Sequence, residues 1–319
     1  MINKIVLAGG CFWGIEAFFR QLDGVIEVIS GYANSKIKKP SYLEVKTQRT
    51  GAVEAVEITY DDSVVSLSKI FDYLFKIIDV TAVDHQGGDY GTSYRSGIYF
   101  QNEAEQELAL TKIKQEQARH SEKIAVEVVP LDNFYLAEDY HQDYLNKNPD
   151  GYCHINLERI DEKDKKIDKQ KVYEQILLVL DGLLDRKLPA LSMMANLTAL
   201  LKEHFTTFSW VGFYYTNEHE LYLGPFQGKV ACETIAFNRG VCGHAFSEQK
   251  AVIVKDVHAF PGHIACDSGS NSEIVLPLFN KHDKIIGVLD VDSYRYANFD
   301  HIDELYLTRV LDKLKEYLD

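Results

Sequence analysis

The chain has 319 residues, 46% of them hydrophobic, and a net charge of −14. That length allows two domains, each with its own core, and the negative charge argues against nucleic acid, whose phosphates would be repelled. No run approaches the roughly 18 apolar residues that span a bilayer. The stretch before Cys11 is too short for a charged segment plus an apolar one of about 7–15 residues, so no membrane partner and a reducing cytoplasm are expected.

In chain order, residues 5–8 (Ile-Val-Leu-Ala) read as a short strand. Gly9-Gly10 allows a tight turn, and residues 16–20 read as the first turns of a helix. Cys11 therefore falls at or beside a helix start, where unpaired N–H groups and the helix dipole favour a thiolate. Phe12 and Trp13 directly after it could wall an apolar pocket. Strands are expected over 24–32, 52–60, 95–100 and 124–130, with helices over 66–78, 103–120 and 136–146 and a glycine-rich loop over 79–94. Strands and helices intermix, which predicts an α/β or α+β fold for this half.

Residues 158–171 are almost all charged and mark the best domain boundary, as a linker or as the solvated start of the next helix. Domains are thus expected over 1–157 and 172–319. Beyond the boundary, 172–185 and 188–205 read as amphipathic helices, and 209–215, 221–225, 251–257, 272–278 and 285–293 as strands. A helix over 300–318 closes the chain. The pattern predicts an antiparallel sheet with helices on one side.

Five cysteines (Cys11, Cys153, Cys232, Cys242 and Cys266) divide two and three between the halves, with no Cys-x-x-Cys. An odd count in a cytoplasmic chain does not suggest a structural disulfide framework; the division suits two separate thiol sites. In the second half, Cys232, Cys242, His244, His258, His263 and Cys266 could bind zinc, but no tight pair of ligands anchors such a site. Asp290 and Asp292 are two apart on a strand and share a face. Within their apolar surroundings they would be buried carboxylates in need of partners.

Gly10-Cys11-Phe12-Trp13-Gly14-x-Glu16 resembles the active-site signature of the peptide methionine-S-sulfoxide reductases. Thr50-Gly51-Ala52-Val53-Glu54-Ala55-Val56, the 88–96 run around Tyr94, Tyr140-His141-Gln142-Asp143-Tyr144-Leu145 and the segment ending at Cys153 extend the resemblance over about the first 155 residues. It implies an α/β (α+β) sandwich of that family's type. Cys11 would be the nucleophile, Glu54 the proton donor and Cys153 the resolving cysteine, carried on a mobile tail. Phe12 and Trp13 would line the methyl slot. Tyr32 and Tyr94 would hydrogen-bond the sulfoxide oxygen, and Asp89 would hold the substrate backbone. The family usually has histidine and alanine before that glutamate, where Ala52 and Val53 stand here.

The second half resembles the free methionine-R-sulfoxide reductases of the GAF fold. The resemblance rests on the 231–243 segment with Cys232 and Cys242, the 263–268 segment with Cys266, and the strands carrying Glu273, Asp290 and Asp292. It implies Cys266 as nucleophile, Cys232 as preferred resolving partner and Cys242 in exchange or substrate contact. Trp210 and Tyr214 would form an aromatic wall around the thioether, and the three acids would face the α-ammonium of a free amino acid.

Together the resemblances imply a bifunctional, thiol-dependent reductase working through sulfenic acid and disulfide intermediates. It would need no cofactor or metal and would be recycled by an external dithiol such as thioredoxin. Oxidised proteins and free methionine sulfoxide would be its substrates, and GAF-like folds of this kind often pair into homodimers through their helices. The alternative is an active S-epimer reductase fused to a non-catalytic GAF ligand or redox sensor.

Overall fold

A computed structural model describes residues 1–217, 219–264 and 266–319; Glu218 and Ala265, the latter inside the 263–268 motif, lie outside them. The chain divides into two compact units, Met1–Ile167 and Asp168–Asp319. Residues 158–167 are not a free linker but part of the first unit. Asp164 accepts hydrogen bonds from Lys69 Nζ and Tyr73 Oη, Asp161 pairs with Lys76 at 2.8 Å, and Lys165 bridges to Leu22. Three of the charges that suggested a solvated tether, Arg159, Asp161 and Asp164, thus have partners on the helix Leu67–Ile77.

The first unit runs β1 (Ile2–Gly9), α1 (Phe12–Arg20), β2 (Val25–Ala33), α2 (Tyr42–Lys46), β3 (Val53–Asp61) and α3 (Leu67–Ile77). There follow a small hairpin of β4 (His85–Gln86) and β5 (Asp89–Tyr90), then β6 (Ser96–Phe100), α4 (Glu103–Gln117), β7 (Glu127–Pro130), β8 (Phe134–Leu136) and α5 (Tyr144–Lys147). The main sheet has the order β7-β6-β1-β3-β2-β8 and is antiparallel except for the β6–β7 pair.

Both faces of the central strands are buried. Ile5, Leu7, Val56 and Ile58 pack with Ile15, Phe18, Phe19, Phe71 and Leu74, while Val6, Ala8, Val53 and Ala55 pack with Tyr99 on the other side. That is why β1 reads as a continuous apolar run rather than an alternation. Burying Phe18, Phe19 and Phe71 contributes about 1.5–3 kcal/mol each, which fixes α1 on the sheet and with it the position of Cys11.

The helix expected over 136–146 does not form. The segment is a strand end, a single 3-10 turn at Asp139–His141, an extended Gln142 and a left-handed Asp143 (φ +56°) before the short α5. Tertiary partners capture the backbone instead. The Gln142 side chain donates to Ser30 O and accepts from Ser30 N, and the buried Glu16 carboxylate accepts the Asp143 N–H at 3.0 Å.

The second unit runs α6 (Lys169–Leu183), α7 (Ala190–His204), β9 (Trp210–Thr216), β10 (Glu220–Gln227), β11 (Thr234–Ala236), α8 (Gly240–Glu248), β12 (Val252–Val254), β13 (Ser272–Phe279), β14 (Ile285–Ser293) and α9 (His301–Lys315). Its antiparallel sheet has the order β11-β10-β9-β14-β13-β12. Helices α6, α7 and α9 cover one face through Ile176, Leu197, Leu201, Leu307 and Val310, against Val211, Phe213, Leu289 and Val291. Contrary to the expectation of helices on one side, α8 lies on the opposite face with Val241, Cys242 and Ala245, against Tyr214, Val275 and Val288. Alternation along β9 and β14 sorts odd positions to the first face and even positions to the second. Among the described residues, no helix is long and apolar enough to cross a membrane.

Candidate active sites

In the first unit, Cys11 is the N-cap residue of α1, and Gly10 before it adopts φ +87°, which a side chain would strain. The helix start does not make Cys11 a thiolate, contrary to the expectation from position. The residue is only 8% exposed. Burial, then the nearby Glu54 carboxyl, push its pKa well up, and a hydrogen bond from the Trp13 N–H offsets little of that.

Glu54 sits on β3 directly opposite Tyr32 of β2, so their side chains share a face. It is 1% exposed. Its Oε2 accepts the Phe12 N–H at 3.3 Å, while Oε1 has no hydrogen-bond partner. Burial is the main reason its pKa rises to about 8, against the lowering effect of that N–H; Asp89 adds to the rise. Near neutrality this is a neutral acid with one uncommitted oxygen beside a protonated thiol. Ala52 and Val53 beside it are both buried and keep this environment dry.

The walls are aromatic. Phe12 lies 5.9 Å from Tyr32 and 5.1 Å from His141, ring to ring. Trp13 stacks on Tyr144 at 3.7 Å, and its indole N–H donates to His141 Nδ1 at 3.1 Å. His141 therefore carries its proton on Nε2, and burial holds its pKa down. Tyr94 is buried with its pKa raised first by burial and next by Glu54. Tyr42, pushed up to about 12 by the same two causes, stands beside it. Tyr32 was expected to offer its hydroxyl to the sulfoxide oxygen, but here that hydroxyl donates to Glu138 Oε2 at 2.8 Å.

Residues 152–155 are not a loose tail either. His154 Nε2 donates to Gly9 O at 3.1 Å and Ile155 is buried. Cys153 is a free, half-buried thiol whose Sγ donates to Ile155 O. The tail crosses α1 where two glycines leave room: a Cβ at Gly14 would sit 3.1 Å from Cys153 Sγ, and one at Gly10 3.0 Å from the His154 ring. Asp89 ends up 3.8 Å from His154 Nδ1, at the edge of the same region. The motif reading brought Cys11, Glu54, Tyr94, Asp89 and Cys153 together. It missed Tyr42, Glu138 and His154, which no local pattern singles out, and gave no role to His141 although that residue lies in the matched 140–145 segment.

In the second unit the pocket-facing residues of three adjacent strands meet. Asp292 lies opposite Trp210 of β9 and Glu273 of β13, and Asp290 is two residues along the same face. Trp210 stacks on Phe226 at 5.4 Å and lies 5.9 Å from Tyr214. The indole can lie flat across β9 because Gly212 has no side chain: a Cβ there would stand 2.2 Å from its ring.

These side chains line a cavity together with Lys229, Cys242, His263, Cys266 and Asp267. Burial raises the pKa of all three acids, Asp290 to about 7, and mutual repulsion adds to the rise in Glu273 and Asp292. Asp290 Oδ1 has no hydrogen-bond partner. Cys232 and Cys266 form a disulfide beside this cavity. Cys242 is a free, buried thiol on α8, 3.9 Å from Glu273 Oε1, and burial pushes its pKa up as well. Among the described residues, Cys242, Glu273 and Asp290 are the one group close enough to hold a metal ion, their ligand atoms lying within 4.8 Å of one another. His244 and His258 do not belong to it, and His263 reaches Glu273 only at 4.0 Å.

The model of the peptide methionine sulfoxide reductase family matches residues 3–174, and that of the GAF domain matches residues 192–314. The first unit is thus an oxidoreductase domain of the methionine sulfoxide reductase class, and the second is a GAF domain. A peptide methionine sulfoxide reductase of Malacoplasma penetrans is 54% identical over 157 residues, covering 49% of this chain and 98% of that protein. One of Clostridium acetobutylicum is 46% identical, covering 49% and 97%. The chain belongs to the peptide methionine sulfoxide reductase family. Among solved structures, a free methionine-R-sulfoxide reductase from Neisseria meningitidis in complex with its substrate is 43% identical, with 48% of this chain and 91% of that one covered and a TM-score of 0.45.

Proposed function

We propose that the protein is a two-headed methionine sulfoxide reductase. Its first unit reduces the S-epimer, protein-bound or free, and its second reduces the R-epimer of free methionine. One observation carries this. Each unit sets cysteine near a buried carboxylic acid whose pKa burial raises to neutrality or above and which has an oxygen without a hydrogen-bond partner: Glu54 Oε1 by Cys11, and Asp290 Oδ1 in the cavity that Cys266 lines. Removing a sulfoxide oxygen needs a sulfur nucleophile and a proton source aimed at that oxygen.

In the first unit, Glu54 and Tyr94 donate to the sulfoxide oxygen while Cys11 sulfur attacks the sulfoxide sulfur. Oxygen passes to Cys11 as a sulfenic acid and the thioether leaves; the thiol's proton replaces the one Glu54 gave up. Phe12 and Trp13 hold the methyl group, and Asp89 holds the substrate backbone. Cys153 then attacks the sulfenic sulfur, releasing water and forming a disulfide. An external dithiol of the thioredoxin type exchanges with that disulfide and restores both thiols; no cofactor or metal takes part.

In the second unit, Cys266 takes the oxygen and Cys232 closes the disulfide, the state in which the two cysteines stand here. Glu273, Asp290 and Asp292 receive the α-ammonium, Asp290 serves as proton source, and Trp210 and Tyr214 hold the thioether. Cys242 contacts the substrate from the floor. A free amino acid supplies the ammonium that three buried acids lack, and a peptide-bound methionine does not.

The test is turnover of the separated epimers by the full chain with thioredoxin, in the Cys11→Ser and Cys266→Ser forms. Each substitution should abolish one epimer's reduction alone. A Cys11→Ser chain that leaves free R-sulfoxide untouched would make the second unit a ligand or redox sensor instead.

A further inference from the structure

The acid-lined cavity leaves half of a free amino acid unaccounted for. At neutral pH such a ligand carries a carboxylate as well as an ammonium. A carboxylate brought beside Asp267, whose pKa is held below the usual carboxylate range first by the Gly269 N–H, meets like charge unless a cation stands with it. Of the groups lining the cavity, two could be cationic, Lys229 and His263. Burial lowers the His263 pKa and His258 lowers it further, so that ring is neutral. Lys229 remains.

The backbone of Lys229 is fixed against the wall of the cavity. The Trp210 indole N–H donates to Lys229 O at 3.0 Å. The preceding Gly228 (φ +143°) passes so close to the indole that a Cβ would stand 2.5 Å from Trp210 Cδ1. The lysine is thus held by the same ring that would hold the thioether, at a constant offset from it. Its ammonium is not buried: it pairs with Asp267 Oδ2 at 3.0 Å and lies 5.0 Å from the Tyr294 ring, while its side chain is 66% exposed. An ion pair so open to water is weak and exchangeable. Asp267 does not depend on it, since it also accepts the Gly269 N–H at 2.9 Å and the Tyr294 hydroxyl at 2.8 Å.

We infer that Lys229 is the carboxylate-recognising residue of the second site: it turns from Asp267 to the α-carboxylate of the incoming amino acid and so selects a free carboxylate over an amide. This rests on the assignment of free methionine-R-sulfoxide to that site. Asp267 follows Cys266 directly, and Lys229 lies three residues before Cys232. The ion pair therefore joins the same two segments as the disulfide.

The experiment measures kcat/KM of the full chain for methionine-R-sulfoxide and for its carboxamide, in the unsubstituted, Lys229→Met and Lys229→Arg forms. The unsubstituted protein should prefer the acid by about tenfold or more, the scale of one charge-assisted contact. Lys229→Met should bring the acid-to-amide ratio close to one through KM, and Lys229→Arg should retain most of the preference. A merely structural role would lower both substrates together. A ratio unchanged by Lys229→Met overturns the inference while leaving the site's assignment intact. An unsubstituted chain that reduces neither R-substrate overturns both.

Discussion

On the proposed assignment, the two thiol sites would perform related chemistry with different distributions of charge. The first buries a single acid, Glu54, among tyrosines and keeps Cys11 and Cys153 as free thiols. The second gathers three acids on one sheet face, sets Lys229 at the cavity rim and joins two of its three cysteines. On that assignment one neutral acid suffices at a site that must also accept a residue within a protein, which brings no ammonium. A cluster of acids is tolerable only where the ligand brings a cation to it. The difference teaches that what the rest of the substrate carries, and not the redox step, dictates how many charges a site can bury.

The largest effects should come from removing either nucleophile. Cys11→Ser is expected to lower S-epimer turnover by roughly a thousandfold or more with R-epimer turnover retained, and Cys266→Ser the reverse. Stopped assays on the separated epimers read both, and a variant that lost both activities would break the comparison.

Glu54→Gln should follow, with S-epimer turnover down by about 10²–10⁴. Glu54 titrates at about 8 in the folded protein, against an ordinary value of 4.5. Its acid form is present below pH 8 and lost above. S-epimer turnover by the unsubstituted protein should therefore fall as pH rises through about 8, and the variant should lack that limb. The same raised value costs stability: between 4.5 and about 8 the folded state holds a proton that the unfolded chain has released, so folding weakens as pH rises across that window. Glutamine removes the penalty, and the variant's melting temperature at pH 9 should exceed that of the parent.

Gly212→Ala should act on the second site alone. A methyl 2.2 Å from the Trp210 ring must displace it; the second unit should lose about 1–3 kcal/mol of stability, and R-epimer turnover should drop about tenfold, with the S-epimer rate unaffected. The smallest effect is expected from Gly14→Ala. Its methyl presses on Cys153 Sγ from 3.1 Å, so the first turnover should survive while steady-state recycling slows about fivefold, equivalent to about 1 kcal/mol of overpacking. Rapid-quench against steady-state rates separates the two phases.

Much of each site was legible because its signals are local. The glycines around Cys11 and the two-residue spacing of Asp290 and Asp292 follow from backbone geometry and alternation, whereas Glu54 was marked only by the motif around it. The residues that escaped notice act across long sequence distances: His141 against Phe12, Tyr42 against His141, Glu138 on the Tyr32 hydroxyl, and Lys229 beside Asp267. The helix expected over 136–146 failed for the same reason. Its apolar spacing was real, but the Glu16 carboxylate and the Ser30 backbone offered partners that no window of neighbouring residues contains.

By itself the sequence determined where the turns and strands fall and which residue types could do redox chemistry, since these depend on chirality, pleat and side-chain identity. Only the tertiary structure decided which groups hold their protons. A helix start should have favoured a Cys11 thiolate, yet packing removed the water that would solvate one and placed a carboxyl beside it. Charge state is set by solvent exclusion and by neighbours that the fold brings from dozens of residues away.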